Sequence, residues 1–184
     1  MTRQKKPSPV TSLKQDPAAT GKTLTIIRHA KSSWKFAGLD DMDRPLSARG
    51  VRDAALMGMV LSQRGFAPAL VTSSPAVRAL RTAVAVTAAI GYPDTAIVLN
   101  HHIYHAGVDG LLNLVHTFDD ALNWVALVGH NPGLTELSGQ LTSDGPDNVP
   151  TAGVVELRFD VSKWQDIHRK QVIEVYFDKP KNHR

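Results

Sequence analysis

No cysteine occurs among the 184 residues, which excludes disulfides and thiolate metal centres and leaves the redox compartment unreadable. Nor is there an apolar run near the ~18 residues that a membrane-spanning helix requires. The N-terminus lacks the apolar stretch of a secretory signal. The expectation is a soluble, cytoplasmic chain with no membrane partner. Internal repeats are absent, and with 42% hydrophobic residues the length suits one packed domain, since domains commonly run to ~100–200 residues.

Excess charge is missing as well once its location is considered. Residues 1–22, MTRQKKPSPVTSLKQDPAATGK, carry five Lys or Arg against one Asp and hold the whole formal charge of +4. The remainder has 16 basic and 16 acidic residues. Segment 1–22 is poor in large apolar groups and is expected to be a disordered basic tail, with a single domain over 23–184. A nucleic-acid partner calls for a basic stripe on the fold itself, so none is expected.

From residue 23 the chain alternates short apolar runs with helical patterns. Leu24–Arg28 suits a strand buried on both faces. Ser47 is a good N-cap for a helix with Val51, Ala54, Ala55, Gly58 and Leu61 inward. Strand Ala69–Ser73 is followed by Ser74-Pro75, an N-cap and a first-turn proline, opening a helix with Val77, Leu80, Val84 and Ala88 buried. Thr95–Leu99 predicts a third strand, Val108–Phe118 a third helix and Trp124–Val128 a fourth strand, with another helix from Asn131-Pro132. This order argues for an α/β fold, a three-layer α/β/α arrangement on a mostly parallel sheet. Val154–Phe159 and Gln171–Phe177 alternate and are β-branched, which predicts an antiparallel edge near the C-terminus.

In open α/β sheets, ligands bind beyond the C-terminal ends of the strands. Three predicted strand ends carry polar signatures: Arg28-His29, then SSPAVR ending in Arg78, then GHNPG with His130. Together they gather two arginines, two histidines and helix N-termini, a set of donors and positive charge suited to a phosphoryl group. A neutral imidazole is a usable nucleophile near physiological pH, and a guanidinium offers a fixed fork of donors to phosphoryl oxygens.

RHAKS, SSPAVRALRTA and GHNPG, in this order and each after a predicted strand, resemble the histidine phosphatase superfamily, the phosphoglycerate mutase-like fold. DRPLSARG and PTAGVVELRF are similar to the small SixA-type phosphohistidine phosphatases. The resemblance spans residues 23 to about 160. It implies that His29 is the nucleophile and is transiently phosphorylated, that Arg28, Arg78 and His130 hold the phosphoryl oxygens, and that no metal or other cofactor is required. The family spacing selects Arg78 over Arg81 as the ligand arginine. Asp43, Arg44 and Ser47 are explained as well by a cap and a local ion pair as by a rim position.

One more absence bears on substrate. Many members of the superfamily place an acid between the arginine helix and the second histidine, but LNHHIYHAGVDGLL has none before Asp109. An alkoxide leaving group needs a proton donor in the transition state, whereas an imidazole, with a pKa of ~6.5, leaves with far less help. The expected substrate is therefore a phosphohistidine on a protein, with Asp40, Asp41 and Asp43 remaining candidates for an acid folded over the site. A phosphomonoesterase acting on a small phosphate ester shares the same quartet and stays open. A non-catalytic phosphate-binding module is disfavoured by the presence of His29. His101, His102 and His105 invite a zinc reading, but the Glu that follows the first His in the helical zinc motif is absent.

Overall fold

Leu24, Ile26 and Ile27 are almost fully buried, as a strand covered on both faces requires. They belong to β1 (Lys22–Arg28), the middle of the computed structural model, which describes residues 21–36 and 38–184. Around it lie β2 (Leu70–Ser73), β3 (Val98–Leu99), β4 (Trp124–Gly129), β5 (Val154–Phe159) and β6 (Val172–Asp178), in the sheet order β3-β2-β4-β1-β5-β6. The first four strands of that order run parallel, while β5 and β6 are antiparallel to their neighbours. The mixed sheet and its antiparallel edge agree with the sequence pattern. The disordered tail expected over 1–22 lies outside the described residues except at its end.

That end differs from the expectation. Lys22 begins β1 and is 2% exposed, because its ammonium donates to the carbonyls of Asp120 (2.6 Å) and Leu122 (3.2 Å) and to Asn123 Oδ1 (2.9 Å). A buried cation is tolerable when its donors are met in this way.

Four helices cover the sheet: α1 (Ala48–Gln63), α2 (Val77–Ala88), α3 (Val108–His116) and α4 (Gly133–Leu141). Ile27, Val71 and Val128 pack with Met57, Leu61 and Ala83 from α1 and α2. Leu24, Ile26 and Leu127 pack with Leu111, Leu134 and Leu137 from α3 and α4, and with Trp164. The three layers follow from these two cores. Among the described residues no helix is long and apolar enough to cross a membrane.

Ala54, Gly58 and Leu61 of α1 are buried as the periodicity predicts, but the rest of that face and the buried face of α2 are rotated from it. Val51 and Ala55 are exposed, and α1 buries Gly50, Asp53, Ala54, Met57, Gly58 and Leu61. The inward residues of α2 are Arg78, Ala79, Thr82, Ala83, Val86 and Thr87. Close approach is the reason: a Cβ on Gly58 would lie 2.8 Å from the Val86 carbonyl oxygen, so the helices meet on their smallest side chains. The third strand is also shorter than Thr95–Leu99. The Val71 N–H that a longer partner would pair donates instead to Tyr92 Oη (3.3 Å), and Asp94–Ala96 forms a 3-10 turn.

Gly58 and Gly139 therefore separate close approach from helix propensity. Gly58→Ala should lower the unfolding free energy by about 1–3 kcal/mol through overpacking. Gly139→Ala on α4, which meets nothing within 4 Å, should raise it by up to about 1 kcal/mol. Urea denaturation of both variants checks the pair, and a Gly58→Ala protein as stable as the parent would contradict the packing account.

Candidate active site

The parallel ladder continues past the strand ends and sets the three signatures side by side. His29 N donates to the Gly129 carbonyl (3.0 Å), and Ser74 N donates to that of Val128 (3.0 Å). Arg28 and His29 thus stand next to His130, while Arg78 enters from the first turn of α2. The start of α1 braces the segment after His29: the Lys31 carbonyl accepts from Ser47 N (2.8 Å) and from Ser47 Oγ (3.0 Å). Ser47 Oγ also accepts from Gly50 N (3.1 Å), the expected N-cap bond.

These residues line a solvent-open cavity of about 420 Å³ that includes Arg28, His29, Arg44, Arg78, His105 and His130. All four residues singled out by their motifs are present in it. The exposed Arg81, on the same helix as the buried Arg78, is not.

The His29 ring has a defined proton arrangement. Its Nδ1 lies 2.8 Å from the Ala30 carbonyl, which can only accept, so Nδ1 carries the hydrogen and Nε2 keeps its lone pair. The His130 ring lies 5.0 Å away, centroid to centroid. His130 Nε2 is 2.8 Å from Ser74 Oγ. Ser74 is thus a partner of the second histidine rather than the helix cap expected of it: α2 is capped at Ala76 without a side-chain bond, because Ser74 Oγ accepts from Ala76 N at 3.3 Å, before the helix begins.

Burial and then the neighbouring guanidiniums of Arg78, Arg28 and Arg44 push His29 down to about 4, against the Ala30 bond. Burial, followed by His29 and Arg78, pushes His130 down to about 3. Both rings are neutral at physiological pH, since loss of hydration penalises the charged form.

Asp41 is the residue that the sequence could not single out. Its carboxylate accepts from Arg78 Nη2 (2.7 Å), Arg44 Nη1 (2.7 Å) and Tyr104 Oη (2.9 Å). Arg78 Nη1 further donates to the Asp41 carbonyl. Partial burial works against ionisation, but hydrogen bonds from Arg44, Tyr104 and Arg78 outweigh it and hold the carboxyl well below the usual range. Asp43, in the same short 3-10 turn, does not share these bonds. The signal in the sequence was the acidic cluster DDMDR, but three acids in four positions do not say which one turns inward.

Arg44 is more than a local ion pair. It donates to Ser32 Oγ (2.6 Å), stacks 3.2 Å over the exposed Trp34 ring and lines the cavity. Of the histidine cluster, His101 and His102 are exposed, whereas His105 reaches the cavity and lies against Tyr104 with centroids 3.9 Å apart. Among the described residues no three His, Asp or Glu side chains gather to hold a metal ion.

The sequence model of the histidine phosphatase superfamily (branch 1) matches residues 24–99. An uncharacterized chloroplastic protein of Arabidopsis thaliana is 30% identical over 151 residues, covering 78% of this chain and 69% of that one. A crystal structure bearing the SixA name, from Agrobacterium tumefaciens, shares the fold with a TM-score of 0.69 at 29% identity over 84% of this chain and 97% of that one. The protein histidine phosphatase SixA in complex with tungstate gives 0.67 at 19% identity, over 88% and 99% of the two chains, a likeness of fold alone. Matched in sequence across its first three strands and in fold over most of its length, the chain belongs to the histidine phosphatase superfamily.

Proposed function

We propose that this protein removes the phosphoryl group from phosphohistidine on another protein, through a phosphorylated His29 and without a metal ion. The observation that carries the reading is the tethered ring of His29: its Nδ1–H is spent on Ala30, so Nε2 is the atom left to attack. Phosphoryl transfer depends mainly on positioning and on charge at the equatorial oxygens. Arg28, Arg78 and Arg44 supply that charge from one wall of the cavity, and His130 offers a further bond. Attack by the Nε2 lone pair forms the new P–N bond as the bond to the substrate imidazole breaks, and that bonding pair stays on the departing nitrogen, whose ring carries a proton on its other nitrogen and so leaves as neutral imidazole. Water then attacks phosphorus, its proton passing to a phosphate oxygen or to solvent, and the P–N bonding pair returns to His29 Nε2.

The state of Asp41 favours this leaving group. Held ionised by Arg78, Arg44 and Tyr104, it has no proton to give an alkoxide. It also occupies the guanidinium face that an incoming phosphoryl group would need, so the two anions compete for Arg78. An imidazole, with its much lower pKa, departs without a strong acid. The open cavity suits a side chain borne on a protein, and the SixA-named relative of the fold points the same way. A phosphatase for small phosphate esters remains the rival, and substrate profiling separates the two.

Brief incubation with substrate, quenched without acid, should label the protein on histidine, and His29→Ala should abolish the label. Label retained in that variant would sink the nucleophile assignment. Chelators should leave turnover intact.

Asp41→Asn should change phosphohistidine turnover by far less than the ~10²–10⁴-fold typical of a lost general acid, while inorganic phosphate inhibits more tightly because Arg78 loses its competing anion. A variant that loses alkyl phosphate hydrolysis selectively would instead make Asp41 the proton donor and favour the small-ester reading.

The pH dependence has a defined sign. His29 is pushed below its unfolded value of ~6.5, so the neutral ring survives as pH falls and is lost only through about pH 4. With an aryl phosphate, and after allowance for ionisation of the substrate, kcat/KM should show no enzyme-borne decline between pH 6.5 and 5. A decline centred near 6.5 would mean that His29 is not held neutral.

A further inference from the structure

The cavity does not end at the catalytic residues. Thr151 belongs both to its wall and to the wall of a second hollow of about 300 Å³, which Arg49, Asn148, Lys179 and Lys181 also line. That hollow in turn shares Arg49 and Asp53 with a third, of about 490 Å³, bordered by Arg52 and Arg184. The shared residues place the three hollows in succession, from the phosphoryl site past the start of α1 to the segment after β6, in the outline of a trough. Its near wall is tied to the site: Arg28 donates to the Val149 carbonyl (2.8 Å), and Asn131 Nδ2 donates to Asn148 Oδ1 (2.8 Å).

Five cationic side chains border this trough against one acidic side chain, Asp53. Asp53 is buried and already paired with Arg49 (3.3 Å) and with Arg184. Asp178, next to Lys179, turns inward to Tyr176, Asn182 and His183, while Asp147, next to Asn148, is exposed. Residues 23–184 are neutral by count, so the charge of this face is a matter of placement. Counting alone had suggested a fold without a basic stripe.

We propose that the trough receives an acidic surface of the phosphorylated protein, so that carboxylates flanking the phosphohistidine meet Arg49, Arg52, Lys179, Lys181 and Arg184 while the phosphoryl group enters the site. The inference rests on the protein-substrate reading above. A small phosphate ester, held at the quartet, would not reach these cations. A groove of one sign beside a binding site raises the rate of encounter with a partner of the other sign, an effect that added salt removes.

The test compares free phosphohistidine with three 12-residue phosphohistidine peptides flanked by Glu, by Ser or by Lys, using the full chain and an Arg52→Glu/Lys181→Glu variant. Both substituted side chains are exposed and stand outside the quartet. At low salt the Glu peptide should exceed the Ser peptide in kcat/KM by roughly tenfold, and the advantage should fade as salt is added. The variant should lose that preference and keep its turnover of free phosphohistidine; Lys181→Glu alone, a milder change, should lose part of it. Binding of a fluorescent, unphosphorylated Glu peptide should weaken in step, a readout independent of catalysis. Equal kcat/KM for Glu and Ser peptides, or a preference untouched in the variant, would overturn the proposal. So would an oligo-dT that displaces the fluorescent peptide at equal concentration, since the trough would then accept any polyanion. Loss of turnover on every phosphohistidine substrate, with peptide binding intact, would overturn the phosphatase reading and leave the trough standing.

Discussion

The parallel pairing of β1 with β4 is the constraint on which the site depends. Arg28 is in register with Gly129, and the ladder runs one residue further, to the bond from His29 N to the Gly129 carbonyl. Because strand pairing fixes position to within a residue, and a one-residue slip would turn every side chain to the other face, the two histidines are set at 5.0 Å by backbone geometry. Glycine at 129 is part of the same constraint, since a Cβ there would lie 2.8 Å from the Ile103 side chain.

That geometry concentrates positive charge, and the local chemistry follows. Burial, reinforced by the guanidiniums that border the cavity, leaves neither imidazole with a proton at physiological pH, and the one carboxylate that reaches Arg78 is held ionised. Asp41 is the anionic group that meets Arg78. The same excess of cations extends outward through Thr151 into the trough beside α1 and β6.

Most of the architecture was legible in local pattern. The apolar runs marked β1, β2, β4, β5 and β6 to within a residue or two at each end; the largest difference is at β1, which begins at Lys22, a polar residue that distant carbonyls hold. The helix faces were legible only in part: Ala54, Gly58 and Leu61 of α1 turn inward as read, but the face of α2 was missed, because periodicity ranks large apolar side chains as buried whereas α2 meets α1 on its small residues. β3 was overestimated because its β-branched residues sit at an edge, where Tyr92 takes a ladder position.

By itself the sequence determined the order of strands and helices, the family resemblance, and Arg28, His29, Arg78 and His130 as the residues to watch. Each of these is written in contiguous residues: an apolar run and the polar signature that ends it. Tertiary structure alone decided that Asp41, rather than Asp40 or Asp43, sits on Arg78, that Ser74 bonds His130, and that a fold neutral by count gathers five cations beside its site. Those outcomes depend on which way a short turn faces and on segments more than a hundred residues apart meeting at one rim, and no local pattern of residues encodes either.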